Sequence, residues 1–181
     1  MVAATHGKST AHKTPAKAAA KATTTHHATA KSDPATDLLI ADHKAVKKLF
    51  QQFEKIRETG SPEEKQRIVQ EACAQLTVHT QIEEEIFYPA SREILDEGDM
   101  VDEAVVEHAS AKELIAELEA MQPTDDLYDA KFIVLSEQIE HHVEEEETEL
   151  FPDVRKKDKA RLEEIAPQLK ARKEQLISKL A

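Results

Sequence analysis

The chain has one cysteine, three glycines, no tryptophan and 4% aromatic residues among its 181. A single cysteine, Cys73, excludes an intrachain disulfide and any zinc or iron–sulfur site built on several thiolates, and it reads as a small core residue on a helix. Scarce glycine and aromatics beside 33% charged residues argue against strands and for long helices. No apolar run reaches membrane-spanning length, and no apolar stretch follows Met1 as in a secretory leader. The expectation is a cytoplasmic protein without membrane contact. A net charge of −12 argues against nucleic acid as the main partner of the folded part.

Acidic residues are themselves missing before Asp33, where the chain is mostly Ala, Thr, His and the lysines Lys8, Lys13, Lys17, Lys21 and Lys31. Such a segment has little to bury, so residues 1–33 are expected to form a disordered basic tail. Its charge would support only weak, salt-sensitive contact with nucleic acid or an acidic partner. Residues 34–155 read as an all-α, antiparallel up-down-up-down four-helix bundle, and 156–181 as a C-terminal helical extension.

The punctuation marks the helices. The first runs over 35–59 to a C-cap at Gly60. Ser61-Pro62-Glu63-Glu64 opens the second with a capping box, and Pro89 is expected to stop it at Tyr88. A short turn over 91–95 leads to Asp99, the expected cap of the third, which runs to Gln122. Thr124 or Asp125 caps the fourth, expected to end at Phe151 before Pro152. A last helix over roughly 159–179 carries Leu162, Ile165, Leu169, Leu176 and Leu180, and Pro167 should kink or split it.

The two halves of the bundle repeat. Asp42-His43 precedes His79, and Glu107-His108 precedes His142. In both halves Glu follows the second His by four positions and Pro follows it by ten: His79, Glu83, Pro89 and His142, Glu146, Pro152. Each His shares an apolar stripe, such as Leu39, Val46 and Phe50 with His43, or Phe132, Leu135 and Ile139 with His142. Their depths from the helix ends match, so an antiparallel bundle brings them to one level, with Glu83 and Glu146 one turn away on the same faces. His141 falls off the stripe and reads as a flanking, exposed residue. The acidic runs over 83–85 and 144–147 read, beyond their ligands, as a solvated face.

Four neutral imidazoles and two carboxylates are donors for borderline metals, and buried carboxylates are costly without cations. The twofold plan suggests two ions, one on His43 and His79, the other on His108 and His142, with Glu83 and Glu146 bridging. Iron, zinc and manganese all suit these donors. A ferritin-like site needs Glu-x-x-His, and no His here outside the tail has Glu three positions before it.

The order His, His-x-x-x-Glu, His, His-x-x-x-Glu resembles the hemerythrin-like family with the HHE cation-binding domain. Asp42-His43, Phe87-Tyr88-Pro89, Glu107-His108 and Leu150-Phe151-Pro152 fit it too, and the resemblance covers about 35–155. It implies a centre of two non-haem iron ions, oxo- or hydroxo-bridged, that binds or senses oxygen, nitric oxide or peroxide. The alternatives are an oxidoreductase consuming peroxide or nitric oxide at that centre, and an iron-handling or stress-protection module. The oxygen carriers have a fifth His where this chain has Lys112, which argues against reversible oxygen carriage. Lys112 and His141 are further candidates for a supporting role behind the ligands.

Overall fold

Caps and apolar stripes resolve into helices in a computed structural model that describes residues 32–96 and 98–180. Helix α1 (Pro34–Ile56) starts on Asp33, whose side chain accepts the N–H groups of Ala35 and Thr36. Pro34 fills the first turn, where its missing N–H has no partner to lose. The helix ends three residues before the expected 59, because Thr59 and Gly60 turn back onto the Ile56 carbonyl. A Cβ on Gly60 would lie 2.8 Å from that oxygen, so the close approach requires glycine. Helix α2 (Pro62–Ile82) opens with the expected capping box of Ser61 and Glu64.

Pro89 and Pro152 do not stop their helices. A π-helical turn (Glu83–Phe87) links α2 to α3 (Tyr88–Ile94), and a second (Glu146–Leu150) links α5 (Tyr128–Glu145) to α6 (Phe151–Lys157). The widened turn comes just before each proline, with the Tyr88 and Phe151 N–H groups reaching back to the carbonyls of Glu83 and Glu146. A proline in the first turn of the continuing helix is then tolerated. Helix α4 spans Asp99–Ala120, with Gly98 rather than Asp99 at its N-cap position. Helix α5 begins at Tyr128, later than expected, because Asp125 spends its carboxylate on the Gln122 N–H. Helix α7 (Lys159–Leu180) runs through Pro167 without being split.

Helices α1, α2, α4 and α5 form the four-helix bundle: α1 packs on α2 and α5, and α4 on the same two. The apolar core has two parts. One joins Val46, Phe53, Leu76 and Phe132; the other joins Leu39, Ile82, Phe87 and Phe151. The histidines lie between these parts on every helix, for His43 stands between Leu39 and Val46 and His108 between Ala104 and Ala111. Helix α7 lies against α1, α2, α3 and α6 and buries Leu162, Ile165, Leu169 and Leu176 in the second part. Its apolar face therefore packs on its own bundle up to Leu176, whereas Leu180, expected on the same face, is exposed at the helix end. Among the described residues no helix is long and apolar enough to cross a membrane. The basic tail lies outside the described residues apart from Ser32 and Asp33.

Candidate metal centre

Each bundle helix delivers one histidine to the polar layer, and the two π-helical turns deliver Glu83 and Glu146 at their first positions. All six side chains are buried, Glu83 completely. The Nε2 atoms of His43 and His79 lie 3.0 Å apart, and those of His108 and His142 3.1 Å apart. Each glutamate stands between the halves. An Oε2 of Glu83 is 3.1 Å from His79 Nε2 and 3.5 Å from His108 Nε2. The Oε2 of Glu146 is 3.5 Å from His142 Nε2 and 3.3 Å from His43 Nε2.

Carboxylates behind the rings fix which nitrogen faces inward. Nδ1 of His43 is 2.9 Å from Glu147, that of His108 3.1 Å from Glu84, and that of His142 2.8 Å from Glu107. His79 is held more loosely, 3.6 Å from Asp42. The pattern crosses between halves: Glu84 of the first supports His108 of the second, and Glu147 of the second supports His43 of the first. An imidazole donating its Nδ1 hydrogen to a carboxylate keeps Nε2 as a lone pair, the form that ligates a metal. Lys112 grips Glu84 at 2.5 and 2.6 Å, so it acts on His108 through that carboxylate. Lys173 of α7 pairs with Asp42 in the same way.

The donors fit a cation. Two nitrogen donors held about 2.1 Å from one ion at a right angle lie about 3.0 Å apart, the separation found in both histidine pairs. Both oxygens of Glu83 and Oε2 of Glu146 are buried without a hydrogen-bond partner. Burial, and then the charge of Glu146, raises the Glu83 carboxyl well above its ordinary range. Burial opposes charge on Glu146 as well, but the neighbouring His142 and His43 outweigh it and hold that carboxyl low. Glu83 is therefore disfavoured as an anion beside Glu146 unless positive charge is added between them. Burial drives His79 down to about 4 and, with His142 beside it, His108 to about 3, so these rings stay neutral. His43 is lifted to about 9 because Glu146 and Glu147 outweigh its burial. The six residues form two overlapping groups of close donors, His43, His79, Glu83 and Glu146, and Glu83, His108 and His142.

Tyr88 is a member of this layer that the sequence pattern did not single out. Its hydroxyl donates to Glu146 Oε1 at 2.9 Å and lies 3.2 Å from His108 Nε2. Burial and the charges of Glu83 and Glu146 raise its pKa, so it remains a proton donor. Its counterpart in the repeat is Phe151, stacked on His43 with ring centroids 5.8 Å apart. Glu84 and Glu147, expected to belong to a solvated face, instead contact histidines; their equal spacing in the two halves was the available signal. His141 stands apart and exposed, as expected.

Comparison with known proteins identifies the fold and the family. The chain spans about 40% of the length of a DNA nickase from Nostoc sp. (strain PCC 7120), to which it is 28% identical over 145 residues, or 80% of this chain. The crystal structure of a Hemerythrin HHE cation binding domain-containing protein from Mycobacterium kansasii superposes with a TM-score of 0.63 at 25% identity, covering 77% of this chain and 85% of that one. Residues 35–180 match the family described as Hemerythrin HHE cation binding domain. That match extends through the last helix, and with it the chain belongs to the hemerythrin HHE cation-binding family, whose domain binds metal.

Proposed function

We propose that the chain is a non-haem di-iron protein that binds or senses oxygen, nitric oxide or peroxide, with His43, His79, Glu83, His108, His142 and Glu146 as ligands. The observation that carries this reading is the pairing of four Nε2 atoms around two buried carboxylates, of whose four oxygens only Glu146 Oε1 has a hydrogen-bond partner. Two irons held by these residues would supply electrons and open coordination positions to a small oxidant. The chain's own part is to orient the four rings, to exclude water, and to hold a proton at the Tyr88 hydroxyl. A cavity of about 10 Å³ bounded by all four histidines and by Val46, Leu76 and Ile139 has room for about one water-sized group. Metal analysis of the protein made in iron-replete cells, with absorption spectra before and after oxygen, tests the reading: about two irons per chain and an oxo-bridged band would support it, and one zinc without a visible band would sink it.

A second reading, turnover of peroxide or nitric oxide, is favoured by Tyr88, a buried proton donor within hydrogen-bond range of two proposed ligands. Mixing the reduced protein with peroxide separates a stable adduct from turnover. A nicking activity belongs to a longer relative, and the acidic surface around this centre does not favour it.

A further inference from the structure

The duplication provides its own control for the surface outside the centre. In the second half a cleft opens between α4 and the α5 end, walled by Glu103, Glu107, Glu145 and Glu149, with the buried Glu146 and His142 at its inner end. Among the described residues that line it there is no lysine or arginine. The equivalents of Glu103, Glu145 and Glu149 in the first half are Leu38, Ile82 and Ile86, packed beneath α7. Cover explains why those three are apolar. Exposure explains only why their counterparts are polar, not why all carry the same charge. A cleft on another flank of the centre, beside His43, mixes Lys44 and Lys47 with Glu140 and Glu147.

The acidic cleft also leads somewhere. Glu146, at its inner end, is buried, and its Oε2 has no hydrogen-bond partner. At its rim the exposed His141 places Nε2 3.4 Å from Glu145 and 3.9 Å from Glu107. The other oxygen of Glu107 is bonded to His142. Donors therefore run without a break from solvent to the centre.

We propose that this cleft is the route by which a divalent cation reaches the centre, caught first by Glu107, His141 and Glu145 and passed to Glu146. The proposal rests on the reading of the centre as a metal site. A narrow cleft lined by one sign of charge focuses the field and raises the local concentration of the opposite ion.

The test follows Co²⁺ uptake by the metal-free full chain in stopped flow, reading cobalt absorption, with metal per chain measured at equilibrium. Glu103→Gln with Glu149→Gln should slow uptake about tenfold at low salt, the gap closing as salt is raised, with final metal content unchanged. His141→Ala should also slow uptake and keep the content. A charge-matched control, Glu54→Gln with Glu58→Gln near the α1 C-terminus, should load at the parental rate. Parental kinetics in the cleft variant, equal slowing in the control, or a lower final content would each overturn the route. A parent that takes up no cobalt at equilibrium would instead defeat the metal-site reading, and the route with it.

Discussion

Hairpin α1–α2 and hairpin α4–α5 set His, His and Glu at matching depths, yet their outer sides differ. The first is roofed by α7, with Leu38, Ile82 and Ile86 against Leu162, Ile165 and Leu169. The second exposes glutamates at the same repeat positions. Inside, Tyr88 of the first half gives Glu146 a hydrogen bond, whereas Phe151 of the second leaves both oxygens of Glu83 without one. A duplicated plan has thus been kept where donors must meet and has diverged where each half faces its surroundings. The first half is the covered side of the centre, and the second is the side that opens a glutamate-lined cleft to solvent.

The largest expected effect tests the shared plan. Glu83→Ala or Glu146→Ala should abolish metal retention, while Glu85→Ala, on an exposed carboxylate that pairs with Arg172, should retain it. Metal analysis after desalting reads the outcome; retention in one of the two glutamate variants would show that the halves are not equivalent. The next effect tests the roof. Leu169 is fully buried, so Leu169→Ala should cost about 2–5 kcal/mol in denaturant unfolding. A cost near zero would mean that α7 is not part of the cooperative core.

A smaller effect tests the carboxylates behind the rings. Glu107→Ala should weaken metal affinity about 10–100-fold, and Asp42→Ala should weaken it less, because Asp42 stands 3.6 Å from His79 whereas Glu107 stands 2.8 Å from His142. Titration against a competing chelator measures both, and the reverse order would break the comparison between the halves.

The six proposed ligands were legible because helical periodicity and the internal repeat select the same residues. The four helix stripes, Phe132-Leu135-Ile139 beside His142 among them, are buried as the pattern requires. Glu84 and Glu147 were not legible. They follow the first residue of a π-helical turn, where a regular 3.6-residue count no longer gives the direction of a side chain. The same turn hid Tyr88 and carried both helices past Pro89 and Pro152, where a proline would otherwise end them. The start of α5 was missed for another reason: Asp125 could cap a helix or close a turn on Gln122, and spacing alone does not choose between them.

The smallest effect concerns a polar tie between the outer ends of the two halves. Asp33 caps α1 and also accepts a bond of 2.8 Å from Arg155 on α6. Burial works to raise its carboxyl, but the bonds from Thr36 and Arg155 outweigh burial and hold it below the ordinary value. A depressed carboxylate contributes stability that is present above the unfolded pKa, about 4, and lost as pH falls through the folded one. Asp33→Asn keeps a good cap but removes the charge, so it should cost about 1 kcal/mol at neutral pH. The gap between parent and variant in urea unfolding should be constant from pH 7 to about 5 and narrow at lower pH, as the parental carboxyl takes up its proton. A gap that widens on acidification would show that the Arg155 bond is not what joins α6 to the start of α1.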